Sequence, residues 1–166
     1  MIRVAVDSDI FFFSISSDHS VLKKRNINPI EIKNHLQHLS SHAGRFQLSV
    51  PISVLGESVT LCLEGEREGR SHNIRELHDM IAFWGGLNLN ILHTNTAVAI
   101  MCYRLNTKYK DERMTPQDLV HIGYALAYNM NYLVTSDKNM QRFNLPDDSG
   151  LEIIPPDQLK HLLDSR

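Results

Sequence analysis

The sequence has few of the features that mark secreted or membrane proteins. Only two cysteines occur among the 166 residues, Cys62 and Cys102, and neither stands in a spacing typical of zinc sites. A disulfide framework is therefore not expected, and a reducing cytoplasm is the simplest location. No apolar run approaches the roughly 20 residues that a transmembrane helix needs, and the first residues do not resemble a secretion leader. We therefore expect a cytoplasmic protein with no membrane partner.

A strong charge of either sign is also missing. The formal net charge is -2, hydrophobic residues make up 42% of the chain and charged residues 22%, which is ordinary for a folded globular protein. No internal repeat, low-complexity tract or linker rich in Pro, Gly or Ser divides the sequence, so a single domain over residues 1–166 is expected. A nucleic acid would have to be held by local basic clusters or bound metal, because the overall field does not attract a polyanion.

Strand and helix patterns alternate along the whole chain. Short apolar, β-branched runs predict five strands, at Ile2–Val6, Phe46–Val50, Leu87–Leu92, Tyr132–Ser136 and Leu151–Ile154. Helices are predicted between them, at Ile10–Ile15, Pro29–Ala43, Ser53–Leu63, Ser71–Trp84, Thr94–Lys110 and Thr115–Met130, with a closing helix to about Leu163. The charged segment Glu64–Arg70 is expected to separate two of these helices. The alternation predicts a three-layer α/β/α sandwich around a mostly parallel sheet of about five strands.

Two acidic residues follow predicted strands directly. Asp7 comes after Ile2–Val6, and Asp137 comes at the end of Tyr132–Ser136. Ligands of open parallel sheets bind beyond the carboxyl ends of the strands, and neighbouring strands lie about 4.8 Å apart. If these two strands are neighbours, the carboxylates repel each other unless a cation lies between them. Mg²⁺ or Mn²⁺ prefers such oxygen ligands. The competing interpretation is that each acid simply caps a turn.

A third acid, Asp118, stands at the third position of a predicted helix. Thr115 is a good N-cap and Pro116 suits the first helical position, so Asp118 can complete a capping box and favour the helix dipole. The helix beyond is largely apolar and is expected to be buried. Asp118 therefore has a structural explanation as well as a functional one, whereas Glu57 in isolation is typical of a solvated helix position.

Four segments together resemble the motifs of PIN-domain ribonucleases, a family that includes the VapC-like toxins and related prokaryotic PIN proteins. The resemblance runs from about Ile2 to Pro155, and its motifs occur in the family's order and secondary-structure settings. The matching segments are Val4-Ala-Val-Asp7-Ser8-Asp9-Ile10, Pro51-Ile-Ser-Val-Leu-Gly-Glu57, Asp118-Leu-Val-His-Ile-Gly-Tyr-Ala125 and Leu133-Val-Thr-Ser-Asp137-Lys-Asn-Met140.

The resemblance implies a metal-dependent endoribonuclease that uses Mg²⁺ or Mn²⁺. Its catalytic, metal-binding acids would be Asp7, Glu57, Asp118 and Asp137. Its substrate-binding residues would be Thr135, Ser136 and Lys138. It further implies RNA as substrate and, for a toxin, a small antitoxin protein as partner and a homodimer; a housekeeping RNA-processing nuclease is the other possibility within the family. Many members of the family carry a further acid after the last motif aspartate, whereas this chain has Asn139 there. Asp9 stands at a position where an amide or hydroxyl residue is more usual.

Three other interpretations stay open at this point. A strand followed by Asp7-Ser8-Asp9 also resembles the nucleophile motif of haloacid-dehalogenase-like phosphatases, in which Asp7 would attack phosphorus and Asp9 act as acid and base. A non-catalytic PIN-like binding module is the second. The third is a zinc site, because His35, His38 and His42 share one face of a predicted helix. His121, one turn beyond Asp118, is expected to be a hydrogen-bonded helix residue that can face the acids.

Overall fold

The computed structural model describes residues 1–15, 28–69, 74–109 and 113–164. Its centre is a five-stranded sheet in the order β3-β2-β1-β4-β5, and every neighbouring pair is parallel. The strands are β1 (Ile2–Val6), β2 (Phe46–Pro51), β3 (Asn90–Leu92), β4 (Tyr132–Val134) and β5 (Glu152–Ile154). The predicted parallel α/β sheet of five strands is confirmed.

Helices follow the strands in the described residues. They are α1 (Ser8–Ile15), α2 (Pro29–Ser41), α3 (Ile52–Glu68), α4 (Ile74–Gly85), α5 (Thr96–Lys108), α6 (Pro116–Ala127), α7 (Lys138–Gln141) and α8 (Leu159–Asp164), with a 3₁₀ turn at Pro156–Gln158 before α8. Polar side chains begin several of them, because the first backbone N–H groups of a helix need acceptors. Asn28 accepts from the start of α2, Asn95 from α5 and Thr115 from α6. None of the described helices is long and apolar enough to cross a membrane.

The core lies on both faces of the sheet. Successive side chains of a strand point to opposite faces, so Val4 packs with the α1 and α2 side, while Ala5 belongs to the α5 and α6 side. Val4, Ala5 and Val6 have no exposed surface. Burial on both faces explains why the inner residues Val4, Ala5 and Val6 are all apolar rather than alternating with polar ones.

The structure places several boundaries differently from the sequence predictions. The third strand is shorter than Leu87–Leu92, because Leu87 N–H donates to Trp84 O and thereby continues the turn after α4. Helix α3 continues through most of the charged segment and ends at Gly69, whose φ is 64°. Glycine tolerates this left-handed conformation without a Cβ clash. The fourth strand stops at Val134, and the short helix α7 follows, which the sequence did not predict.

Candidate metal centre

The carboxyl ends of β1 and β4 lie side by side. Val6 is aligned with Val134 in the sheet, and the Asp7 N–H donates to Val134 O at 3.0 Å. The strand neighbourhood on which the prediction for Asp7 and Asp137 depended is therefore present. Helix α3, which carries Glu57, follows the strand on the other side of β1. Residues from three adjacent strand ends thus meet at one edge of the sheet, where ligands of parallel sheets bind.

The Asp7 carboxylate is only 5% exposed and has contacts at both oxygens. Its Oδ1 accepts from Ser8 N–H at 2.7 Å and lies 2.7 Å from His121 Nδ1. Its Oδ2 accepts from the Thr135 hydroxyl at 2.8 Å. Burial alone would raise the pKa of Asp7, but the contact and charge of His121 and the hydrogen bonds from Thr135 and Ser8 lower it below its ordinary value. Asp7 is therefore held as a buried carboxylate.

His121 lies on α6 and is 2% exposed. Its Nδ1 contacts Asp7, and its Nε2 lies 3.6 Å from Glu57 Oε2. Burial opposes the charged imidazolium, yet contact with Asp7 and the negative charges of Asp7, Glu57 and Asp118 together raise the pKa of His121. Three of the four predicted acids therefore act on one imidazole. The helical spacing from Asp118 gave the signal for this, since His121 is one turn further along the same face.

Glu57 and Asp118 are both partly exposed. The Glu57 side chain is 26% exposed, and its Oε2 accepts from Gln117 Nε2 at 3.2 Å, which links α3 to α6. Gln117 was not anticipated from the sequence. Asp118 completes the predicted capping box, because its Oδ2 accepts from Thr115 N–H at 2.8 Å and its own N–H donates to Thr115 Oγ1 at 3.2 Å. The capping role of Asp118 is therefore present, and its negative charge also contributes to the raised pKa of His121.

Asp137 and Asp9 each support the turn between β4 and α7. Asp137 Oδ1 accepts from Asn139 N–H at 2.6 Å and from Met140 N–H at 3.1 Å, so this oxygen caps α7. Asp9 Oδ2 accepts from Ser136 N–H at 2.9 Å and from the Ser136 hydroxyl. Asp9 therefore ties the first turn of α1 to the end of β4.

The three predicted substrate contacts differ in accessibility. Thr135 is fully buried, and its hydroxyl donates to Asp7 and accepts from Asp137 N–H at 3.0 Å. Thr135 therefore supports the two acids, and its contact with substrate stays a prediction. Ser136 is half-buried and Lys138 is exposed. Both line a cavity of about 670 Å³ between α2, α7 and the C-terminal turn, together with His35 and Lys160 among others.

The donor set fits a hard divalent ion in its chemistry. In the four described stretches of the chain, no three side chains of His, Cys, Asp or Glu come together in an arrangement that holds an ion. Mg²⁺, however, usually keeps several waters and takes only one or two protein carboxylates together with substrate phosphates. Asp7 and Glu57, which both approach the His121 ring, are two carboxylates of this kind. Carboxylate oxygens favour Mg²⁺ or Mn²⁺ over softer metals.

The histidines of α2 do not form a zinc site within the described residues. The His38 and His42 rings stack at a centroid distance of 4.2 Å, and His42 Nδ1 lies 2.9 Å from the His38 carbonyl oxygen. These contacts are local to the end of α2.

The sequence matches no protein-family profile and no curated protein. Solved structures that share the fold include three from toxin-antitoxin systems. A chain of VapBC2 from Rickettsia felis, bound to a DNA fragment from their promoter, is 17% identical with a TM-score of 0.65, covering 93% of this chain and 98% of that one. A chain of DNA-bound VapBC from Salmonella typhimurium is 17% identical with a TM-score of 0.57, and the match covers 94% of this chain and 99% of that one. A chain of a toxin-antitoxin complex from Klebsiella pneumoniae is 12% identical with a TM-score of 0.52, and the match covers 92% of this chain and 97% of that one. The chain therefore has the PIN-like α/β fold that the four motifs predicted.

Proposed function

We propose that this protein is a metal-dependent endoribonuclease that hydrolyses RNA phosphodiester bonds at Asp7, Glu57, Asp118 and Asp137. The observation that carries the proposal is the buried Asp7 carboxylate at the carboxyl edge of the sheet, with Glu57 approaching the same neighbouring imidazole. Carboxylates that gather at a ligand-binding edge repel one another, which favours a bound cation. The PIN-like fold agrees with this assignment, and the resemblance of the motifs supplies RNA as the substrate class.

The protein's own residues hold and shield the reacting groups. Mg²⁺ or Mn²⁺, when bound, supplies Lewis-acid stabilisation of the phosphate and an activated water. Asp7, Glu57, Asp118 and Asp137 would hold the ion, directly or through its bound waters. Thr135 and Ser8 keep the Asp7 carboxylate oriented through hydrogen bonds. Lys138 lies exposed beside Asp137, where its positive charge would contact the phosphate backbone of the substrate.

RNA cleavage by matched variants tests the proposal. Wild type is expected to cut single-stranded RNA with Mn²⁺ or Mg²⁺ and to stop when EDTA is added. Asp7→Asn and Asp118→Asn are each expected to slow cleavage by about 100-fold, which corresponds to about 2.7 kcal/mol of transition-state stabilisation. Asp148→Asn is the control, because Asp148 is exposed and lies outside the site. Undiminished cleavage by folded Asp118→Asn, checked by circular dichroism, would remove the metal-site assignment.

A biological role as the toxin of a toxin–antitoxin pair is the second part of the proposal. It is favoured by the structural similarity to chains from two VapBC complexes and from a further toxin-antitoxin complex. Expression of the wild-type chain in a bacterial host is expected to arrest growth, whereas Asp118→Asn is expected to leave growth unaffected. Co-expression of a small neighbouring reading frame should restore growth and yield a co-purifying complex, with RNA cleavage suppressed. Growth that is unaffected by wild type favours a housekeeping nuclease.

A homodimer is the oligomeric state we propose for the isolated chain. Light scattering coupled to size-exclusion chromatography measures the mass in solution directly. A mass near twice 19.0 kDa supports the dimer, and a mass near 19.0 kDa refutes it.

A further inference from the structure

His121 makes contacts that its helix does not require. Helix α6 has twelve residues, and seven of them are buried, all between Leu119 and Leu126. An apolar side chain at position 121 would pack in such surroundings without any need for polar partners. Instead, an imidazole is buried there, and neither ring nitrogen has a regular hydrogen bond within the described residues. Its polar contacts are the close approaches to Asp7 and Glu57.

The placement of this ring costs stability unless the contacts compensate for it. A buried polar group that lacks partners loses its hydration, which costs about 1–3 kcal/mol. Here Nδ1 approaches Asp7 Oδ1 to 2.7 Å, while the other Asp7 oxygen is held by Thr135. Besides the N–H of the adjacent Ser8, the carboxylate therefore has one contact from the residue that follows β4 and one from α6. Two contacts from different elements restrict its rotation more than either contact alone.

We propose that His121 is a positioning residue for the metal centre and that it fixes the Asp7 carboxylate through the Nδ1 contact. This inference depends on the proposed metal-dependent function. The ring does not need to touch the ion or the RNA to act, since residues that hold a ligand in place typically change metal affinity by about 10–100-fold when they are removed. The Nε2 side of the same ring faces Glu57, so a single side chain connects a ligand on β1 with one on α3.

Amide side chains separate the two contacts of the ring. The amide nitrogen of asparagine is as many bonds from Cα as His Nδ1 is, so His121→Asn retains a donor toward Asp7. The amide nitrogen of glutamine reaches further and mimics Nε2, so His121→Gln retains a donor toward Glu57 and loses the one toward Asp7. His121→Leu removes both. All three variants leave the four acids unchanged.

Mn²⁺ binding measured by electron paramagnetic resonance, without RNA, provides the readout. We expect His121→Leu to weaken Mn²⁺ binding by about 10–100-fold, His121→Gln to weaken it clearly, and His121→Asn to stay closest to wild type. Tyr124→Phe is the matched control. Tyr124 lies on the same helix as His121, and the change removes its hydroxyl contact to Thr94 while leaving the contacts of the four acids unchanged. Its Mn²⁺ affinity should equal that of wild type.

The outcomes separate this inference from the proposed function. Wild-type affinity in His121→Leu, or equal losses in His121→Asn and His121→Gln, overturns the positioning role. If His121→Leu does not fold, the order of the two amide variants still decides the matter. If wild type itself binds no Mn²⁺, or Asp7→Asn binds it equally well, the metal-dependent function fails instead.

Discussion

Asp118 performs two tasks that the structure allows to be separated. Its carboxylate accepts from Thr115 N–H and begins α6, and its charge contributes to the raised pKa of His121. An amide oxygen can replace the first contribution because it also accepts a hydrogen bond, but it cannot replace the second because it carries no charge. Thr115 contributes only to the helix start.

Two substitutions at this helix start are predicted to have opposite effects. Thr115→Ala should lower the free energy of unfolding by about 1 kcal/mol through the lost N-cap and leave RNA cleavage near wild type. Asp118→Asn should keep most of the stability and lose activity. Urea unfolding and a cleavage assay on both variants measure this. A loss of activity in Thr115→Ala as large as that in Asp118→Asn would show that helix α6 itself, rather than the charge, is required.

Helices α5 and α6 approach each other closely at one glycine. A Cβ added at Gly123 would overlap Cys102 Sγ, and Cys102 N and Cα lie 3.4 and 3.5 Å away. The two helices pack extensively at this contact, and α6 carries Asp118 and His121. The absence of a side chain at Gly123 therefore sets how closely the helix bearing these residues packs.

Gly123→Ala is predicted to destabilise the protein in spite of the better helix propensity of alanine. Overpacking costs about 1–3 kcal/mol, while the gain in propensity is about 1 kcal/mol, so we expect a net loss of up to about 2 kcal/mol. Removing the sulfur should relieve the overlap, and Cys102→Ala combined with Gly123→Ala should cost less than the sum of the two single changes. Thermal unfolding of the four proteins gives this coupling. Strict additivity would mean that the sulfur is not the obstacle.

The shape of individual elements was only partly predictable. The periodicity of Pro29–Ala43 and the capping residues of α6 are local signals, and both helices are present. By contrast, Glu64–Arg70 is charged, so it was expected to interrupt the helices, although much of it continues α3. Charged residues are compatible with a helix whose outer face is solvated. The short α7 depends on the Asp137 cap and has too few residues to show a period.

At the scale of the whole molecule, the Asp7–His121 contact links stability to pH. Asp7 has a pKa lowered from its ordinary value of 3.8, so its contribution is present above that value and lost as pH falls through the folded pKa. His121 has a pKa raised from its ordinary value of 6.5, so its contribution is present below 6.5 and lost as pH rises through the folded pKa. Both contributions belong to the Asp7–His121 contact, so its full stabilisation is present between about pH 3.8 and pH 6.5.

Metal-free protein is therefore predicted to be more stable near pH 5.5 than near pH 8.5. The measurement is urea unfolding at both pH values in the presence of EDTA. His121→Asn is expected to lose most of the difference, because an amide does not titrate. The same decrease in wild type and His121→Asn would assign the pH dependence to other groups.

The sequence by itself determined the class of fold and the acids at the strand ends. Apolar runs and helical spacing are properties of neighbouring residues, and they are sufficient to predict parallel strands covered by helices. The four motifs led to Asp7, Glu57, Asp118 and Asp137 because their order along the chain is visible without coordinates. Their ligand roles stay predictions.

Only the tertiary structure decided which side chains face one another. The order of the strands brings β4 beside β1, which buries Thr135 against Asp7. The packing of α6 directs His121 to Asp7 and Glu57. These contacts join residues that are far apart in the chain, and they depend on strand register and helix orientation. A local pattern carries information on neither, so no spacing rule could have supplied the partners of the acids.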